Sequence, residues 1–240
     1  MKPILPLSLV FAAALTGCAP RVTTRETSVT LPVSNTGGWS QQTYSYPAND
    51  TYWPCPTDSS GTGGASDIAG ARLVGYDHAY DPGTRPFPCS RNLIHIYRAA
   101  MQFDLREVKS HLPRVFVTSA TLHYQRRPDP EGGRNCADSL LLSSKNWEAP
   151  GYTKPPPGDP YRGELPAAGA SCGLGGCGID VTSAVRNWVS GTEPQYGFVL
   201  KGENEATDSK DNDVCRTRYS NLSMTVNYKY DLVPIFPPEK

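Results

Sequence analysis

Leu222-Ser223-Met224-Thr225-Val226-Asn227-Tyr228-Lys229-Tyr230 decides the fold class. Apolar and polar residues alternate along it without a break, the period of a strand with one buried face and one wet face. Two stretches upstream repeat the pattern. Tyr97-Arg98-Ala99-Ala100-Met101-Gln102-Phe103-Asp104-Leu105 is apolar at every odd position, and Ala120, Leu122 and Tyr124 alternate with Thr121, His123 and Gln125. Gly197-Phe198-Val199-Leu200 is shorter and apolar throughout, which suits a central strand. Ser139 to Ser144, Ala71 to Tyr76 and Asp50 to Trp53 read as further strands, with Asp77 opening a polar turn.

One helix interrupts them. Asp180 offers an oxygen to the free N–H groups of a helix start. Val181, Ala184, Val185, Trp188 and Val189 then fall on a single apolar stripe, and Gly191 stops the run. The fold expected is an all-β sandwich with one short helix packed on it. Gly and Pro number 22 and 23 of 240 residues, so the strands are joined by many loops. The segment from Pro150 to Cys177, rich in Pro, Gly and Ala, reads as one long loop.

The amino terminus sets the compartment. Lys2 precedes an apolar stretch from Ile4 to Leu15, and Leu15-Thr16-Gly17-Cys18 follows. The stretch is too short to span a bilayer and has the length of a cleaved signal. Small residues ahead of Cys18 suit the processing site of a bacterial lipoprotein. Residues 1–17 would be removed, and Cys18 would carry lipid such as palmitate. Ala19 after the cysteine suits sorting to the outer membrane. The Thr/Ser/Asn/Gly-rich segment to about Pro47 reads as a flexible tether, residues 18–47, whose ends average about 30 Å apart. The remainder divides into one β domain, 48–232, and a tail, 233–240. No basic run appears and the formal charge is +0, so nucleic acid is not expected as a partner.

Six cysteines remain: Cys55, Cys89, Cys136, Cys172, Cys177 and Cys215. In an oxidising compartment an even number implies disulfides, and six allow fifteen pairings. Cys172 with Cys177, Cys55 with Cys89, and Cys136 with Cys215 is one of them. A metal site is disfavoured, since no Cys-x-x-Cys is present and no His adjoins a cysteine pair.

Catalytic signals are weak. Gly169-Ala170-Ser171-Cys172-Gly173 matches a nucleophile elbow by spelling, but neither a strand before it nor a helix after it is in sight. No clear carboxylate pair suggests a glycan-cleaving enzyme, so a non-catalytic domain is expected. Glu203, Glu205, Asp208, Asp211 and Asp213 form an acidic loop. Its order matches no known calcium loop, and a solvated loop is the simpler reading, with calcium as the alternative. Loop aromatics are the better binding candidates: Trp53, Tyr76, Tyr80, Tyr152 and Tyr161, with His78 beside them. Flat rings flanked by polar groups suit sugars. The competing reading is that each ring packs on its own loop.

The order of motifs resembles a known family. Arg98 to Leu105 is similar to the R-x-x-L-x-F-D-L strand of DNRLRE-type domains, and Val117 to Tyr124 to their V-T-S-A-T-L-x-L-Y strand. Asn146-Trp147-Glu148, the block from Asp180 to Gly191 with Tyr196 to Leu200, and Leu222 to Tyr228 resemble the motifs that follow. The segment 151–155 lacks the tryptophan that the family carries there. The resemblance implies a jelly-roll sandwich on secreted or surface proteins, in some cases binding polysaccharide. It places Trp147 and Trp188 in the core. A structural module that contacts another envelope protein is the alternative role.

Overall fold

The computed structural model describes residues 22–45, 59–63, 72–81, 91–129, 137–147, 158–164, 177–202, 205 and 213–232. Cys18, Trp53, Tyr152, Cys55, Cys89, Cys136 and Cys172 lie outside them. The described chain is all-β and antiparallel, a sandwich of ten strands with two short helices. In order these are β1 (Thr23–Ser45), β2 (Ser59–Gly63), β3 (Arg72–Asp81), β4 (Arg91–Phe103), α1 (Arg106–Lys109), β5 (Val115–Pro128), β6 (Asp138–Ser143), β7 (Gly158–Glu164), β8 (Cys177–Asp180), α2 (Thr182–Ser190), β9 (Phe198–Gly202) and β10 (Asp213–Leu232).

One layer is built on β10, with β5 and then β8 to one side. The other runs β4–β9–β6–β7. Two strands join the layers. Thr23 to Pro32 of β1 pairs with β10, and Val33 to Ser45 pairs with β4, the register shifting between Val33 and Asn35. β3 lies between β10 and β4. The strands β1, β10, β3 and β4 therefore close on one another.

Between the layers lies the main core. Ala99, Met101, Phe103, Leu140, Phe198 and Leu200 meet Leu122, Tyr124, Met224, Val226 and Tyr228. Each of these large side chains, taken out of water, contributes about 1.5–3 kcal/mol. β9 pairs on both sides and is apolar because both of its faces are buried: Phe198 and Leu200 enter the main core, and Val199 packs with Ala100, Leu141 and Trp147.

Helix α2 forms where the stripe predicts. Asp180 Oδ1 accepts from the Thr182 backbone N–H at 2.9 Å, and Gly191 ends the helix at φ 77°, a left-handed conformation that suits glycine. Ala184, Val185, Trp188 and Val189 are buried, with the Trp188 ring 4.9 Å from Phe198. Arg186 donates to the carbonyls of Val117 and Thr118 at 2.8 and 3.0 Å, which occupies part of the β5 edge. Trp147 is buried as expected, and its indole N–H donates to the Tyr196 carbonyl at 2.7 Å.

Four expectations are corrected. The tether read into residues 18–47 holds a strand from Thr23 to Ser45; weak local propensity yields to ladders on β10 and β4. Asp77 does not begin a turn but continues β3 opposite His95. The loop from Pro150 to Cys177 contains β7, paired with β6. A second helix, α1, joins α2, with Val108 buried beneath it.

Candidate functional site

A polar cluster of the described residues sits where β3, β4 and β10 meet, at the start of β10. Pairing puts Gly75 between Tyr97 and Arg216, and Asp77 between His95 and Val214. Gly75 has φ 124°, and a Cβ there would lie 1.9 Å from the Cys215 carbonyl oxygen. Only glycine fits. With no side chain between them, the Tyr97 hydroxyl and the Arg216 guanidinium bond to each other across the strand. Burial raises the Tyr97 pKa, and the bond to Arg216 opposes that rise.

Two arginines and two carboxylates form a lattice around this pair. Asp129 is buried, forms an ion pair with Arg216, whose Nε lies 2.9 Å from one oxygen, and accepts from Arg218 at 2.8 Å on the other. Arg216 Nη1 lies 3.6 Å from Asp77 Oδ2. Arginine forks held by carboxylates keep fixed positions and present polar edges to whatever meets the half-buried Arg218 and Asp77. Beside Tyr97, the His95 ring sits edge-on, with Nδ1 3.3 Å from the Tyr97 hydroxyl. Among the described residues its buried Nε2 has no hydrogen-bond partner. An orphaned polar atom of this kind is rare and marks a place where a polar group is wanted.

Alternation sends Tyr76, His78 and Tyr80 to the other side of β3. Tyr76 and His78 are each 3% exposed, so neither offers an open ring face to a sugar. Tyr76 donates to Asp213 Oδ2 at 2.8 Å and packs with Cys215, and its ring lies 4.7 Å from that of His78. Burial lowers the His78 pKa, against the pull of Asp213 and Asp77. Tyr80 is half-buried farther along the strand. Tyr161 is not part of this group. On β7 it shares a hydrogen bond of 2.7 Å with Ser183 of α2 and packs 6.0 Å from Phe198. Cys177 and Cys215 are each in a disulfide.

The acidic loop is partly consumed. Glu205 is buried, takes Arg98 on both oxygens at 2.5 and 3.1 Å, and has its pKa raised by burial against Arg98. Asp213 serves Tyr76. Glu203, Asp208 and Asp211 lie outside the described residues.

A second buried ion pair ties the layers together nearby. Arg126 of β5 meets Asp138 of β6 at 3.1 Å, and Tyr219 donates to the same oxygen at 2.8 Å. Burial raises the Asp138 pKa despite Arg126. Among the described residues, Asp138 Oδ1 and the Tyr124 hydroxyl have no hydrogen-bond partner. Every atom here is enclosed by the core, so this pair is read as architecture.

None of His95, Arg216, Arg218 and Asp129 is singled out from the sequence. The alternation Arg216-Thr217-Arg218-Tyr219 does carry a signal: a strand with one basic face. No known family model matches this chain, and no curated protein matches it.

Proposed function

We propose that this chain is a lipid-anchored envelope protein, processed at Cys18 and sorted to the outer membrane, whose non-catalytic sandwich binds polysaccharide at the Arg–Asp lattice beside Tyr97 and His95. One observation carries the ligand reading: the half-buried Asp77 and Arg218 form the water-reaching edge of a polar cluster that also holds Tyr97, His95, Arg216 and Asp129. Sugar hydroxyls donate and accept at once, and such a cluster offers both kinds of group within one small area. The likeness of the motifs between Arg98 and Tyr228 to DNRLRE-type domains points the same way, towards a jelly roll. Three disulfides among the six cysteines fit an oxidising compartment.

The test is a glycan array probed with the full chain in detergent. Wild type should bind a defined polysaccharide class, and His95→Ala with Tyr97→Phe should weaken binding about tenfold, the loss of roughly one polar contact. No glycan bound, together with an envelope protein recovered by crosslinking, would replace this reading with that of an assembly module. The anchor is tested separately. Cys18→Ala should release the chain from membranes, and a variant that stays bound would refute the lipid.

A further inference from the structure

The described residues expose four large apolar side chains, Val22 (51%), Leu112 (47%), Phe116 (58%) and Leu232 (43%). All four lie at one end of the sandwich. Val22 precedes Thr23, which pairs with Leu232. On the other side of β10, Val115 pairs with Tyr230 and Phe116 with Lys229. Leu112 follows His111, whose ring stacks on Tyr230 at 3.8 Å. The Asp231 N–H donates to the Arg114 carbonyl at 3.2 Å, which ties the turn before β5 to the end of β10. Among the residues whose side chains are described, no other large apolar side chain is left in water.

Basic groups surround them. Arg25 and Arg114 are exposed beside the patch, and the Arg186 guanidinium lies 5.0 Å from the centre of the Phe116 ring. The acidic neighbours are engaged: Glu26 by Lys229, and Asp231 by Thr24 at 2.7 Å.

The distance to Cys18 identifies the occupant. Four residues separate Cys18 from Thr23, the first residue of β1. Fully extended, that span reaches about 17 Å. A thirty-residue tether would hold the sandwich clear of the surface, but β1 leaves no such length. On the reading that Cys18 is lipidated, the end of the sandwich bearing Val22 must lie close to the lipid headgroups. We infer that this end is a bilayer-contacting face: Val22, Leu112, Phe116 and Leu232 enter the interfacial layer beside the anchor, while Arg25 and Arg114 meet anionic headgroups. Apolar side chains with a basic rim are the chemistry by which proteins lie on membranes. The same arrangement points the start of β10, with its Arg–Asp lattice, away from the membrane.

The experiment uses the full chain, reconstituted in vesicles of phosphatidylethanolamine and phosphatidylglycerol carrying bromine on the acyl chains. Phe116→Trp and Leu112→Trp report at the proposed face, and Ala79→Trp reports at the opposite end. Two reporters guard against one that disturbs folding. Quenching above the wild-type tryptophan background should be at least about threefold greater at 116 and 112 than at 79. Equal quenching at all three positions, with the chain still in the vesicle fraction and acyl mass present on the Cys18 peptide, would overturn the face and leave the lipoprotein reading intact. Absence of acyl mass from Cys18 would overturn both.

Discussion

The two ends of this sandwich handle polar and apolar groups in opposite ways. Where β10 begins, charge is drawn inward: Asp138, Asp129 and Glu205 are buried, each held by arginine. Where β10 finishes, apolar groups are turned outward, and the ion pairs of that region, Arg106 with Asp104 and Lys229 with Glu26, lie on the surface. Buried charges hold the layers in one relative position, because each would be costly to leave alone. Exposed apolar groups hold nothing in the isolated chain, so their arrangement is explained by a surface outside it. Rigidity therefore belongs to the end proposed to bind a ligand, and adhesion to the end proposed to meet the membrane.

The largest expected effect breaks the charged end. Asp138→Ala leaves Arg126 buried without its carboxylate and should destabilise the fold by about 3–5 kcal/mol in denaturant unfolding. A loss under about 1 kcal/mol would mean that Arg126 reaches water and that the pair does not join the layers. Tyr219→Phe removes one donor to the same carboxylate and should cost about 1–3 kcal/mol by the same measurement. At the other end, Phe116→Ser should change stability by less than about 0.5 kcal/mol, since that ring is already wet. A larger loss would make Phe116 part of the core and weaken the contrast.

A fourth prediction concerns pH. Burial holds His78 below its ordinary value of 6.5, so the folded chain takes up its proton later than the unfolded chain. Its contribution is complete above pH 6.5 and is lost as pH falls below it towards the folded value. Asp138 and Glu205 act with the opposite sign, because burial raises their pKa values and acid relieves the cost of their charge. The clean readout is a difference. Thermal unfolding of His78→Gln should lose less stability than wild type between pH 7 and 5, and parallel curves would show that His78 titrates alike in both states.

Legibility followed the period of the side chains. Strands with strict alternation, such as Ala120 to Tyr124 and Leu222 to Tyr230, were readable because one face packs on the core and the other meets solvent. Helix α2 was readable from its stripe and from Gly191. Thr23 to Ser45 was not, because nothing in a Thr/Ser/Gly-rich segment marks a strand until β10 and β4 offer it ladders. The site was legible only in part. Tyr76, His78 and Tyr80 were chosen for their residue types, but alternation along β3 turns them away from Tyr97, His95 and Arg216. Asp129 could not be chosen at all, since its partners lie 87 and 89 positions away, at Arg216 and Arg218.

By itself the sequence determined the period-two strands, the single amphipathic helix, and the expectation of a lipid on Cys18. Each depends on neighbours within a few residues, and local chemistry suffices for that. Only the tertiary structure decided that β1 joins both layers, that Gly75 lets Tyr97 and Arg216 meet across a strand, and that Val22, Leu112, Phe116 and Leu232 share one end. Those facts come from strand pairing between residues far apart in the chain. Long-range register, not residue type, fixes which side chains become neighbours.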